Sequence, residues 1–112
     1  MQYQMKLAKE PFDKIRSGAK KVESRLFDEK RQQLNMGDEI IFSENDHPEN
    51  TAKTKITGLL RYQSFENLFA DHDPALFGGS DRDFLLKEIK QFYSDEDEQK
   101  YGVVGIRLEL ID

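Results

Sequence analysis

The feature that most limits what this chain can become is a long alternation over Ala52–Tyr62, in which Ala52, Thr54, Ile56, Leu60 and Tyr62 share one face and Lys53, Lys55, Thr57 and Arg61 share the other. A period of two belongs to a strand with one buried side. Gly58 interrupts the run, as expected where a strand must bulge or bend around a small barrel. Four further segments supply neighbours. Tyr3, Met5 and Leu7 alternate with Gln2, Gln4 and Lys6, which predicts a strand over 2–8, and Val104, Ile106, Leu108 and Leu110 alternate through another at Val103–Ile111. Lys21–Leu26 and Glu39–Ser43 read as strands too, the latter carrying Ile40, Ile41 and Phe42 after a turn at Met36-Gly37-Asp38.

Between the strands lie short helical patterns. Pro11 in a first turn, Phe12 and Ile15 three apart, and Ser17-Gly18 at the end predict a helix over Glu10–Ser17. Ser64–Ala70 is amphipathic through Phe65, Leu68 and Phe69. Ser80 with Asp83 resembles a capping box, and Leu85, Ile89 and Phe92 fall at i, i+4 and i+7, so a helix is predicted over 81–93 with Phe65, Phe69, Phe84 and Phe92 in the core. Ser94 caps a final acidic turn through Glu98, read as solvated. Phe27–Leu34 is a loop or one frayed turn, His47-Pro48-Glu49-Asn50 is a tight connection, and Asp73-Pro74 to Gly78-Gly79 brackets an irregular loop. The order predicts an α+β fold: one domain over residues 1–112, with about five mostly antiparallel strands curled into a partly closed barrel flanked by short helices. A doubly wound parallel sheet fits less well, because strands two, three and four lack helical crossovers.

Composition removes several functions. The chain has no cysteine, which excludes a disulfide framework, a thiolate zinc site and a thiol nucleophile. His47 and His72, with Asp46, Asp71 and Asp73 beside them, do not supply three or four converging ligands, so neither a metal nor any other cofactor is expected. No apolar run reaches the roughly 18–20 residues of a membrane span, and the expected location is the cytoplasm. A net charge of -5 argues against non-specific coating of nucleic acid. That charge is uneven: residues 1–36 carry nine Lys/Arg against five Asp/Glu, a balance of +4, and residues 37–112 carry eight against seventeen, a balance of -9. An anionic ligand should therefore meet the first third of the chain. The acidic helical face of residues 81–98 is the place where a protein partner would be expected.

The densest polar group is Gly18-Ala19-Lys20-Lys21-Val22-Glu23-Ser24-Arg25, followed by Asp28, Lys30 and Arg31. Glu23 and Arg25, two apart in a strand, project from one face and can pair. Lys20 is three residues from Glu23, on the opposite face of a regular strand, and joins them only if it sits in the turn after Gly18. If Glu23 engages Arg25, Lys20 is left near a cation and partly desolvated, which suits a general base or nucleophile. If Glu23 engages Lys20 instead, the ammonium becomes a simple anchor.

The pattern Gly-x-Lys-x-x-Glu-x-Arg, after a short helix and entering a strand, resembles the motif of ASCH domains in the PUA-like superfamily, and Gly18, Lys20, Glu23 and Arg25 match it at each defined position. The resemblance extends through Asp28-Glu29-Lys30-Arg31, Met36-Gly37-Asp38, Phe65-Glu66-Asn67-Leu68-Phe69, and Tyr93-Ser94 to Tyr101-Gly102-Val103, nearly the whole chain. It implies a PUA-like β-barrel whose motif lines a cleft for RNA or a nucleotide. With a modified nucleoside as a further candidate ligand, the residues expected to bind are Lys20, Glu23 and Arg25, joined by Lys30 and Arg31, which otherwise read as surface charge, and by Tyr93, which otherwise reads as core or cleft wall. Some relatives resemble amidohydrolases of N(4)-acetylcytidine that use a Lys, a Thr three residues later and a distant Glu; Lys20 matches the first, and Glu23 stands in place of the Thr. Others resemble RNA-cleaving enzymes in which Lys and Ser contribute, and Lys20 with Ser94 are the corresponding positions. An enzyme of either kind, with Lys20, Glu23 and Ser94 catalytic, is the alternative to a binding module.

Overall fold

A computed structural model describes residues 1–111 of the chain. Nine regular elements follow in order: β1 (Gln2–Leu7), α1 (Lys9–Ser17), β2 (Val22–Leu26), β3 (Glu39–Glu44), β4 (His47–Tyr62), α2 (Phe65–Ala70), α3 (Arg82–Ile89), α4 (Asp95–Tyr101) and β5 (Val103–Leu110). The strands form one sheet in the order β1-β3-β4-β5-β2. β1 runs parallel to β3 and the other three pairings are antiparallel. The architecture is therefore α+β, a five-stranded, mostly antiparallel sheet curled into a half-barrel and flanked by helices. β1 and β2 are its two edges, so the barrel has an open seam between them.

Each face of the sheet carries its own core. One gathers Leu7, Ile40, Phe42, Ala52, Ile56, Val104, Ile106 and Leu108 under Phe12 and Ile15 of α1. On the other, Val22, Leu26 and Val103 meet Phe65, Leu68 and Phe69 of α2, Phe77 and Leu85. A six-residue helix such as α2 is far below the roughly 12–15 residues at which an isolated helix becomes marginally stable. Burial of its three apolar side chains, each contributing about 1.5–3 kcal/mol, holds it instead. The Ser64 hydroxyl, which accepts from the Asn67 amide at 3.1 Å, fixes its start.

The bulge expected at Gly58 is present, with the register to β5 shifting between Ile56 and Gly58. Its consequence differs from the face assignment made above. The extra residue turns Leu59 toward the α1-covered core beside Ile56, while Leu60 and Tyr62 pack on the α2 side. His47-Pro48-Glu49-Asn50 is not the connection either: the turn is Asn45-Asp46, and these four residues begin β4. Proline is accommodated there because β4 meets β5 only from Thr54 onward, leaving its first residues with β3 as sole neighbour.

The third helix also departs from the sequence pattern. It stops at Ile89, and its N-cap is Asp81, whose carboxylate accepts from the Phe84 amide at 2.8 Å, not Ser80. A tight turn follows, with Phe92 N donating to the Ile89 carbonyl at 3.0 Å. The turn sends Tyr93 inward, 5.5 Å from the Phe65 ring, and leaves Phe92 outside. Phe84 is exposed as well, so only Phe65 and Phe69 of the four expected core rings are buried. Ser94 does cap the next helix, accepting from Asp97 N at 3.2 Å, but α4 continues to Tyr101 and buries Glu98. Pro74–Phe77, expected to be irregular, forms a 3-10 turn that inserts Phe77 into the core.

Candidate ligand-binding site

α1 ends at Gly18, whose φ of +83° is a left-handed conformation that glycine adopts without strain. The chain then turns sharply, with Lys20 N donating to the Lys14 carbonyl at 2.9 Å and Lys21 N to the Leu76 carbonyl at 2.8 Å. Lys20 thus lies before β2 begins and is free of strand alternation. On β2, Glu23 and Arg25 sit opposite Ile106 and Val104, which places both on the face that α1 covers.

The three side chains converge. Lys20 Nζ lies 2.8 Å from Glu23 Oε1, and Arg25 Nε donates to Glu23 Oε2 at 2.7 Å. Arg25 Nη2 reaches across the seam to donate to the Lys6 carbonyl of β1 at 3.3 Å, a side-chain bridge where the sheet lacks a backbone ladder. Glu23 keeps only 4% of its surface exposed. Burial by itself would push its carboxyl up, but the Lys20 and Arg25 charges outweigh that and hold it below the ordinary carboxylate value. For Arg25, burial works against the charge, while Glu23 first and the Tyr93 phenol second hold the guanidinium above its ordinary value. Glu23 engages both cations at once, so Lys20 is an ion-paired anchor here. The arrangement in which Glu23 pairs with Arg25 alone is not the one adopted.

The trio forms one wall of a cavity of about 260 Å³, open at the mouth. Lys6, Ala8, Pro11 and Lys14 line it from the β1–α1 side, and Ile89, Phe92 and Tyr93 from the end of α3. Lys20 and Arg25 retain N–H groups beyond those given to Glu23 and Lys6, because an ammonium has three and a guanidinium five. Four cationic and three anionic residues border the cavity, a balance of +1, so the cleft is far less cationic than the charge of residues 1–36 suggests.

A family model for the ASCH domain matches residues 5–112. The chain belongs to the ASCH domain family. This ASCH domain is similar along its whole length to two solved structures. One is hypothetical protein PH0355, at 37% identity and a TM-score of 0.87, covering 99% of this chain and 100% of the other. The second is protein PF0455 from Pyrococcus furiosus, at 31% identity and a TM-score of 0.79, covering 100% and 99%. An ASCH domain from Lactobacillus crispatus JV V101 shares the fold, at 16% identity and a TM-score of 0.66, over 97% of this chain and 79% of that one. Comparison with curated proteins returned no match.

Of the residues singled out by sequence, Lys20, Glu23, Arg25 and Tyr93 line the cavity of this ASCH domain, and Lys30, Arg31 and Ser94 do not. Lys30 is exposed, Arg31 pairs with Asp28 at 3.2 Å, and Ser94 serves as the cap of α4. Sequence reasoning missed Lys14, which donates to the Gly78 carbonyl at 2.7 Å and pairs with Glu10 at 3.3 Å. Its spacing to Glu10 is that of an ordinary surface helix pair, so no local signal separates it from solvated charge. The Lys6 contribution is a backbone carbonyl and leaves no mark in the sequence. No helix among the described residues is long and apolar enough to cross a membrane. The acidic stretch 81–98 is not one face: it is split between α3 and α4, and Lys90 bonds both Asp95 and Glu98.

Proposed function

We propose that this ASCH domain binds RNA or a nucleotide in the cavity beside Lys20, Glu23 and Arg25. Membership of the ASCH family points toward nucleic-acid-related function, and one observation carries the finer reading. Two cations, fixed by a buried carboxylate, keep unused N–H donors on the wall of an open cavity. Such donors suit the acceptor-rich groups of a nucleotide, namely phosphate oxygens and base carbonyls. Lys20, held by Glu23, favours anchoring over proton transfer, and Ser94 stands outside the cavity, so binding is preferred to hydrolysis.

The test is titration of nucleotides and short RNA at fixed salt. Lys20→Ala and Arg25→Ala should each weaken binding by about tenfold or more while the fold persists, the scale of one lost charge-assisted hydrogen bond. The salt slope should be shallow, since a site of balance +1 neutralises few phosphates. Unchanged affinity in both variants rejects the site. Turnover of an acylated nucleoside or of RNA that vanishes in Lys20→Ala would replace binding with catalysis.

A further inference from the structure

Three aromatic side chains line the cavity, and they are not equivalent. Phe77 is buried edge-on against Phe69 at 4.9 Å, and Tyr93 stacks on Phe65 at 5.5 Å. Phe92 has no aromatic partner among the described residues and stands 73% exposed at the cavity. Its exposure follows from the backbone. Had α3 continued past Ile89, Phe92 would have fallen on the stripe of Leu85 and Ile89 and been buried; the turn at Gln91–Tyr93 gives that inward direction to Tyr93.

We infer that Phe92 is a stacking platform for one unpaired nucleobase, whose edge meets the free N–H groups of Lys20 and Arg25, so that the ligand is single-stranded RNA or a nucleotide and not a duplex. The inference rests on the nucleotide-binding reading of the same cavity and adds the class of nucleic acid. An exposed ring beside hydrogen-bond donors matches the two sides of a base, a π face and an acceptor edge. A base within a duplex has its faces covered by its neighbours. Duplex RNA is instead recognised across a broad surface of phosphates and 2′-hydroxyls. The near-balanced charge of the cavity lining offers little for phosphate tracking, which leaves stacking and edge contacts to supply the affinity.

The chain contains no tryptophan, so Phe92→Trp introduces a single reporter at the proposed contact. The probes are a single-stranded oligoribonucleotide, an abasic strand of the same length, and a blunt-ended duplex without unpaired bases. Phe92→Leu, which keeps an apolar side chain and removes the ring, should weaken the base-bearing strand by roughly five- to a hundredfold, the range for loss of one base–aromatic stack. It should leave the abasic strand unaffected. Phe92→Trp should retain affinity, and its emission should be quenched at saturation. Both substitutions fall at an exposed position and should leave the circular dichroism of the domain unchanged. Equal loss on the abasic strand, unquenched tryptophan at saturation, or duplex bound as tightly as single strand overturns the inference. So does self-association abolished by Phe92→Leu with RNA affinity intact, which would make Phe92 a protein contact. If Lys20→Ala weakens binding and Phe92→Leu does not, the stack fails while the nucleotide reading stands. If the unmodified protein binds none of the probes, both fall.

Discussion

Glu23 and Glu98 each keep 4% of their surface exposed, and each is held by a lysine, but the spaces around them differ. Glu98 accepts from the Phe65 amide at 2.9 Å with one oxygen and takes the Lys90 ammonium with the other. Those contacts tie α4 to the first turn of α2 and the end of α3, and Lys90 also bonds Asp95 at 2.6 Å. Glu23 is gripped by two cations that themselves line an open cavity. Burial of a charged residue is therefore not by itself the sign of a site. What separates the two is that both cations on Glu23 line the cavity, whereas Lys90 serves to join α3 to α4.

The largest expected effect lies at Glu23. Its removal leaves Lys20 and Arg25 without a counter-charge in a confined space, and Glu23→Ala should destabilise the domain by about 3 kcal/mol, the low end for breaking a buried pair, because the cavity admits water to both cations. Denaturant unfolding measures this, and a loss no larger than that of an average surface substitution would erase the distinction between the two glutamates. Acid sharpens the same point. A carboxyl held below its ordinary value of 4.5 stabilises the fold above that pH, and the contribution disappears as the pH falls through the lower folded value. Stability should accordingly fall more steeply below pH 4.5 in the unmodified protein than in Glu23→Gln.

Glu98→Ala ranks next. It leaves the buried Phe65 amide without an acceptor, at about 2 kcal/mol, and should not alter nucleotide affinity. A parallel loss of affinity would show that the two glutamates are coupled and break the comparison. Smallest is Asp95→Asn, expected to change stability no more than an average surface substitution in the same denaturant assay, since that carboxylate is exposed and its pair with Lys90 is screened.

The strands, the Gly58 bulge and the Glu23–Arg25 pair were legible in the sequence, because each depends on contacts within a few residues, whereas the sequence left open whether Lys20 joins that pair. Alternation of Ile56 with Lys55 specifies a half-buried strand wherever it lies, and Gly18 marks the left-handed turn that frees Lys20 from β2. Phe92 was misread for the opposite reason. Its spacing from Leu85 and Ile89 is helical, and only packing of Tyr93 on Phe65 decides that the helix stops short. Of the acidic run 95–98, Asp95, Glu96 and Asp97 are solvated as read, and only Glu98 was misread, since the amide it accepts from lies 33 positions away.

The sequence by itself determined a mostly antiparallel α+β sheet and the ASCH motif, since period, glycine placement and spacing are properties of neighbouring residues. Tertiary structure alone decided that Glu23 binds both cations, that Arg25 spans the seam to the Lys6 carbonyl, and which rings border the cavity. Those outcomes depend on distances between segments far apart in the chain, and on the competition between desolvation and ion pairing, which no local pattern encodes.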